Sequence, residues 1–461
     1  MSAPQRKPSN AELIEALRET RARTLDLVGD LTDDQLLGPR LSIVNPLRWE
    51  IGHLAWFQEF WMLRHLGGQP PILAHGDSLY DSARVDHDTR WDLPLLTREE
   101  TLGYMRRVLD RVIEQTERSG GRLRAADGYD ESYFLQLVLL HEQMHDEAIT
   151  YTRQTLAYPP PRFTVSAIPS KAVAEANCLL QADGSGDAEG DAEIPGGRFM
   201  LGSGSGEDFV FDNEQWAHEI EVAPFAISKT AVKNEEFLSF VEDGGYRKRS
   251  LWTDEGWQWR ESASAEHPVY WKREASGGWL RRNFDQWVLL EDRLPVIHVN
   301  WHEAQAYCRW AKRRLPTEAE WELAASAEPA VDGQGITTHR RRYPWGDNPP
   351  TRERANLAWR AIKEGGCLPV DALAADDSAF GCRQMIGNVW EWTSTTFGPY
   401  PGFAAGPYKE YSQPWFGDHK VLRGGCWVTR SRLIHNNYRN FYTPGRRDVW
   451  AGFRTCALRL D

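Results

Sequence analysis

The run Glu131-Ser-Tyr-Phe-Leu-Gln-Leu-Val-Leu-Leu-His141-Glu-Gln-Met-His145-Asp-Glu147-Ala-Ile-Thr-Tyr-Thr-Arg-Gln-Thr-Leu156 reads as one long helix that carries two histidines four residues apart. Tyr158-Pro-Pro-Pro-Arg162 follows and ends it, because proline cannot continue a helix. Working back from there, three more helical stretches appear. The first begins at Asn10, taken as its N-cap, with Leu13, Leu17, Leu25, Val28 and Leu31 near helical spacing. The others run from Pro46 to Leu66 and from Thr97 to Arg118, set apart by segments rich in Gly, Pro and Asp. Four such helices fit an up-and-down bundle.

Working forward, Gln181-Ala-Asp-Gly-Ser-Gly-Asp-Ala-Glu-Gly190 has the composition of a flexible acidic linker. The expected division is a helical domain over 1–165, a linker over 166–193 and a second domain over 194–461. In that second part tryptophan, glycine and arginine become frequent and long helical periodicity mostly disappears. One helical stretch stands out, Trp301 to Ala325, after the strand-like Pro295-Val-Ile-His-Val-Asn300, and Leu315-Pro316 is expected to split it in two. The fold class expected is α+β, a four-helix bundle followed by a loop-rich mixed α/β domain.

Bulk properties narrow the function classes. A chain of 461 residues exceeds one ordinary core, which predicts two domains. With 41% hydrophobic, 26% charged and 11% aromatic residues it is globular. The net charge of -12 disfavours nucleic acid as a partner. No run of about 18 apolar residues occurs, so no membrane association is expected. Met1-Ser-Ala-Pro-Gln-Arg-Lys-Pro8 lacks an apolar signal core, so a cytoplasmic location is expected. Six scattered cysteines without a CxxC pair (Cys178, Cys308, Cys367, Cys382, Cys426 and Cys456) predict free thiols.

The second half resembles the formylglycine-generating-enzyme and sulfatase-modifying-factor fold, which is C-type-lectin-like. The blocks that carry the resemblance are Ile194-Pro-Gly-Gly-Arg-Phe-Met-Leu-Gly202, Pro295-Val-Ile-His-Val-Asn-Trp-His-Glu-Ala304, Arg314-Leu-Pro-Thr-Glu-Ala-Glu-Trp-Glu322, Tyr343-Pro-Trp-Gly346, Gly387-Asn-Val-Trp-Glu-Trp-Thr393, Leu422-Arg-Gly-Gly-Cys-Trp427 and Ala451-Gly-Phe-Arg-Thr-Cys456. Most of these residues are expected to be structural, glycines in tight turns and tryptophans in the core. Formylglycine generation needs reactive cysteines near the C-terminal block, and Asn437-Tyr-Arg-Asn-Phe-Tyr-Thr-Pro-Gly-Arg-Arg447 has none. With a helical first half bearing His53 and His141-x-x-x-His145-x-Glu147, the whole chain looks like the ergothioneine-type sulfoxide synthases, whose first half is a DinB-like bundle. That resemblance implies iron(II) held by three histidines and O₂ as co-substrate. It also implies coupling of hercynine (trimethylhistidine) to cysteine or gamma-glutamylcysteine, or to a selenosugar in the selenoneine synthase branch.

The residues support a metal site independently. His141 and His145 project from one helix face and can grip one ion. His53, in Trp49-Glu-Ile-Gly-His53-Leu-Ala-Trp56, lies on another helix, and facing helices bring distant histidines together. Iron oxygenases often use two histidines and a carboxylate, which keeps Glu147 in view. At two residues from His145 it points away from the shared face and is assigned a supporting place. The same five residues, His141-Glu142-Gln143-Met144-His145, also satisfy the H-E-x-x-H pattern of zinc peptidases, with Glu142 as general base. A plain pair of core histidines, or a non-catalytic metal binder, is the bland alternative.

Substrate contacts follow from the resemblance. Asn440 and Phe441 match the family segment that binds the trimethylammonium betaine, and Phe441 offers a ring face to the quaternary ammonium. Tyr442 stands where members using gamma-glutamylcysteine carry an aspartate, which points to a different donor. Arg446 keeps a family position, and Arg84 with Arg90 are candidates for a bidentate anion clamp. Met144 replaces a glutamine found before the last ligand in some members, so Gln143 and Gln58 become candidates for imidazole recognition. Tyr400, in Gly398-Pro-Tyr-Pro-Gly-Phe403, resembles the family's proton-donating tyrosine, with Tyr408 and Tyr411 as alternatives.

Overall fold

A computed structural model of the chain describes residues 7–163, 188–207, 209–332, 335–358 and 366–458. The chain divides into two compact units near residue 166.

The N-terminal unit is built on four long helices, Asn10–Val28, Leu47–Gln58, Arg98–Ser119 and Glu131–Thr155. The first packs along the fourth, and the second packs on the third and fourth. Asn10 does not cap the first helix. Ser9 does, because its hydroxyl accepts from the Glu12 amide at 3.3 Å while the Glu12 carboxylate accepts from the Ser9 amide at 2.8 Å. The stretch expected to end at Leu66 is α-helical only to Gln58, after which Glu59–Leu66 winds as a π-helix. Leu17, Leu27, Ile51, Ala55, Val108, Leu135 and Ile149 form the buried seam. Fully burying a side chain of leucine or valine size stabilises by about 1.5–3 kcal/mol.

In the second unit the strand Asp191–Ile194 takes Asp191, Ala192 and Glu193 out of the expected linker, whose residues 166–187, with Cys178, lie outside the described residues. This strand pairs antiparallel with Phe225–Ser228, which is followed in the sheet by Cys456–Ala457 and Arg313–Arg314. A second four-stranded sheet has the order Asn440–Tyr442, Lys420–Arg423, Trp390–Thr396, Ala451–Gly452. Its edge strand sets Asn440, Phe441 and Tyr442 opposite Leu422, Val421 and Lys420. The stretch 301–325 is two helices, Trp301–Trp310 and Glu318–Ser326. The break begins before Leu315-Pro316, because Arg313 and Arg314 leave the helix to pair with Ala457 and Cys456.

Tryptophans fill the interior as their abundance suggested. Trp321, Trp390, Trp392, Trp427 and Trp450 are fully buried. The Trp392 indole donates to the Val299 carbonyl at 2.9 Å and the Trp321 indole to Glu391 at 2.8 Å, so their polar edges are satisfied. Gly387 turns at φ 88°, and a Cβ there would lie 2.6 Å from the Asn356 carbonyl oxygen, so the backbone approach itself requires glycine. The five described cysteines are buried and form no disulfide among the described residues. Burial pushes the Cys367 and Cys456 thiols up to about 12 and Cys382 to about 11, which makes them packing residues instead of nucleophiles. Among the described residues no helix is long and apolar enough to cross a membrane.

Candidate metal centre

His53, His141 and His145 converge in the helical unit, each offering one ring nitrogen, all within 4.8 Å of one another. His53 comes from the second helix and the other two from consecutive turns of the fourth. Two of the rings are oriented from behind. His53 Nδ1 donates to the Tyr80 carbonyl at 2.7 Å, and His145 Nδ1 lies 2.5 Å from Glu50 Oε2. A histidine engaged at Nδ1 presents Nε2 as its ligand atom, the arrangement that fixes tautomer and ring angle at metal sites. The third ring, His141, is clamped by Phe57, which stacks on it at 3.5 Å and 5°.

The electrostatics suit a cation. Burial, helped by the nearby His145, pushes His53 down to about 3, and the same causes hold His141 well below the usual histidine value. Both are therefore neutral at physiological pH, the form that ligates metals. Burial alone would raise Glu50, but the adjacent His145 overrides it and draws the carboxyl down to about 2. An all-imidazole donor set with a carboxylate behind it fits a divalent iron, zinc, copper or nickel ion and leaves coordination positions open for other ligands.

Glu147 is buried on the same helix but does not join the group of three. Glu142 faces elsewhere. Its carboxylate takes a two-point ion pair from Arg21 at 2.7 and 2.9 Å and a hydrogen bond from Thr24 at 2.8 Å, all buried. A carboxylate so engaged is not placed as the general base of a zinc peptidase. Gln143 and Gln58 are engaged on that side too, Gln143 donating to the Thr20 hydroxyl at 3.0 Å and Gln58 accepting from Arg21 at 3.0 Å. Their expected role in imidazole recognition is therefore not supported by where they point.

Arg90 also differs from expectation. It is buried, its terminal nitrogens donate to Asn45 at 2.6 Å and to the Val85 carbonyl at 3.2 Å, and its guanidinium lies 3.8 Å over the Trp49 ring. Trp49 in turn stacks on His53 at 4.8 Å, and Asn45 donates to Glu50 at 2.6 Å. Arg90 thus braces the scaffold behind two of the histidines instead of forming a free anion clamp. Arg84 is 70% exposed and pairs with Asp81 at 3.1 Å, so the two arginines do not act alike.

The remaining candidates lie in the second unit. Phe441 is half-buried, stacked on Phe397 at 4.0 Å with Tyr411 at 5.5 Å and His419 at 5.9 Å, an aromatic surround. Asn440 Oδ1 accepts from the Phe441 amide at 2.8 Å. Arg446 sits 5.1 Å over the Tyr442 ring and makes a two-point pair with Asp448 at 2.7 Å. Tyr400 is buried, its hydroxyl donating to Glu318 at 3.3 Å and its ring lying 4.1 Å under the Arg439 guanidinium. Burial pushes the phenol well above its ordinary value, so it keeps its proton. The other two tyrosines share one patch, with the Tyr411 hydroxyl 3.0 Å from that of Tyr438 and the Tyr408 and Tyr411 rings 6.0 Å apart.

Sequence reasoning missed Glu50, Asn45 and the Tyr80 carbonyl. Glu50 was legible in principle, because it stands three residues before His53 and so on the same helix face. The Tyr80 carbonyl had no signal, since a backbone atom has no residue type.

The DinB superfamily matches residues 16–149, and the sulfatase-modifying factor enzyme 1-like domain matches residues 179–458. Over 442 residues the chain is 36% identical to hercynine oxygenase of Mycobacterium tuberculosis, covering 95% of this chain and 96% of that one. The chain belongs to the hercynine oxygenase family. Another hercynine oxygenase, from Mycolicibacterium thermoresistibile, is 36% identical over 459 residues, covering 97% of this chain and 95% of its own. Formylglycine-generating enzyme of Streptomyces coelicolor is 32% identical over 305 residues, covering 59% of this chain and 90% of its own. Membership of the hercynine oxygenase family makes the chain an oxidoreductase with the α+β architecture expected, a DinB-like helical part before a sulfatase-modifying-factor-like part.

Proposed function

We propose that this chain is a non-haem iron(II), O₂-dependent synthase that forms a C–Se or C–S bond between hercynine and a selenosugar or thiol donor. The observation that carries the reading is the group of three histidines, two buried and one half-buried, with its Glu50 and Tyr80 supports, in a chain related along almost its full length to enzymes named for oxygenation of hercynine. His53, His141 and His145 are the residues that would hold the iron. When bound, the iron supplies the activation of O₂ and a template that orients the reactants.

The chain's own groups do the rest. The aromatic surround at Phe441 suits the trimethylammonium of hercynine, since a quaternary cation is attracted to ring faces. Asn440, its oxygen engaged by the Phe441 amide, has amide N–H donors of the kind that suit the betaine carboxylate. Arg446, oriented by its two-point pair with Asp448, supplies a positive charge suited to a donor anion. Tyr442, in place of an aspartate that would hold an amine, favours a donor without that amine, such as a selenosugar. Tyr400, protonated throughout, is the proposed proton donor; its hydroxyl must exchange Glu318 for the reacting group as it acts.

The test is direct. Anaerobically purified, iron-loaded protein is given hercynine, O₂ and competing donors (cysteine, gamma-glutamylcysteine and a selenosugar), with products read by mass spectrometry. A coupled C–Se or C–S product is expected. Hercynine returned unchanged with every donor would overturn the reading.

A further inference from the structure

Two lines of touching aromatic rings lead away from the histidine cluster and meet at one residue. From His53, Trp56 lies at 5.8 Å, Phe60 at 5.4 Å from Trp56, and Trp61 at 5.0 Å from Phe60. From His141, Phe57 stacks at 3.5 Å and Trp61 lies 6.1 Å beyond it. Trp61 then stacks on Phe134 at 5.6 Å, and Phe134 touches Tyr133 at 5.3 Å and Tyr129 at 6.3 Å. The two tyrosines are 4.4 Å apart and half-buried, so the line reaches solvent. Every ring between the cluster and those tyrosines belongs to the helical unit.

Hydrophobic packing alone does not require this order. Leucine or phenylalanine would fill the core equally well, yet tryptophan and tyrosine, the most easily oxidised aromatic side chains, occur at intervals with single phenylalanines between them. The Trp56 indole N–H also donates to the Asp77 carboxylate at 2.8 Å, so an oxidised indole there has a proton acceptor in place. Asp77 is held down to about 2 by its pair with Arg64, which keeps that acceptor ionised.

We propose that this line is an electron relay which discharges the metal site when dioxygen is activated there without a donor to receive it. One electron leaves the phenol of Tyr133 or Tyr129 while its proton passes to water. The electron moves inward through Trp61, and an oxidant generated from dioxygen at the cluster is reduced by one electron. A small thiol in solution returns a hydrogen atom to the phenoxyl radical, and two of the resulting thiyl radicals join as a disulfide. The relay spares the three histidines and Trp49, which stacks on His53. It rests on the oxygenase reading given above, and it assigns Trp61 a role outside substrate binding.

The experiment uses the full chain and its Trp61→Phe variant in two arms. In one, iron(II)-loaded protein meets O₂ without hercynine or donor. In the other, copper(II), an ion that three imidazoles also hold, is bound and hydrogen peroxide is added. Bound metal is measured first. Oxidation at each tyrosine and tryptophan is then mapped by peptide mass spectrometry, and trapped radicals are read by electron paramagnetic resonance. Tyr158, half-buried and off the line, is the internal reference. In the parent protein Tyr129 and Tyr133 should be oxidised well above Tyr158. In Trp61→Phe they should fall to the level of Tyr158 while oxidation moves back to Trp56 and the histidines, and added thiol should erase the tyrosyl signal in the parent only. An unchanged map in Trp61→Phe with copper bound overturns the relay and leaves the oxygenase reading standing. A relay pattern with copper and peroxide, beside hercynine returned unchanged when the iron-loaded protein is given O₂ and every donor, upholds electron transfer through Trp61 and overturns the oxygenase reading. Failure to hold either metal overturns both.

Discussion

Glu50 Oε2 stands 2.5 Å from His145 Nδ1, a contact that joins the second bundle helix to the fourth, three residues before the second helix supplies His53. One carboxylate therefore orients a ring across the bundle while its own helix presents another. Replacing Glu50 by Gln removes the charge and keeps the shape. Metal affinity should fall about 10–100-fold, the usual effect of losing a partner behind a ligand. A chelator competition titration measures it, and an affinity equal to the parent's would show that Glu50 does not tune the site.

Each of His53→Ala, His141→Ala and His145→Ala should lose iron, because a site with three protein ligands is sharply weakened by losing one. Bound iron per chain after desalting is the readout. Full retention in His53→Ala would remove that residue from the ligand set and bring Glu147 forward.

Glu142→Gln should leave turnover per iron-loaded molecule near the parent value, since the carboxylate faces Arg21 and not the cluster. Stability should fall instead, because Arg21 and Glu142 are 4% and 3% exposed and a broken buried pair costs about 3–5 kcal/mol, less whatever the amide oxygen recovers. Urea denaturation reads the stability and product formation reads the turnover. A zinc-dependent peptidase activity abolished by this change would favour the H-E-x-x-H reading.

Stability should also fall with acid in a traceable way. His298 is buried, and burial pushes it from 6.5 down to about 3. The unfolded chain then binds a proton that the folded chain refuses, so the contribution is complete above about pH 6.5 and is lost as pH falls toward 3. Within that window His298 accounts for about 1.4 kcal/mol per pH unit. Asparagine tolerates the left-handed backbone at this position, where φ is 61°. Denaturant titrations of His298→Asn at several pH values should show the slope reduced by one proton; an unchanged slope would mean His298 is protonated in the folded state.

Tyr400→Phe should keep iron and substrate binding but divert the reaction, so that the donor sulfur or selenium is oxidised instead of coupled. Phenylalanine preserves the packing beneath Arg439 and removes only the hydroxyl that meets Glu318. Tyr408→Phe and Tyr411→Phe run beside it identify the tyrosine if another shifts the product ratio. Equal ratios in all three would end the proton-donor assignment.

Much of this protein was written in local sequence. Apolar spacing between Glu131 and Leu156 specifies a helix wherever it is placed, and four residues between His141 and His145 put both rings on one face of it. The ordered glycine and tryptophan blocks likewise announce their domain, because tight turns and aromatic cores demand those residue types. Tertiary structure alone decided the direction in which each polar side chain was engaged. Arg90 lies on Trp49, Glu142 turns to Arg21, and Glu50 reaches His145 across 95 residues of chain. A residue's type and spacing set which face of a helix it occupies. Its partner is set by which other helix packs there, and a buried charge takes the nearest opposite charge or donor that packing brings within hydrogen-bond distance.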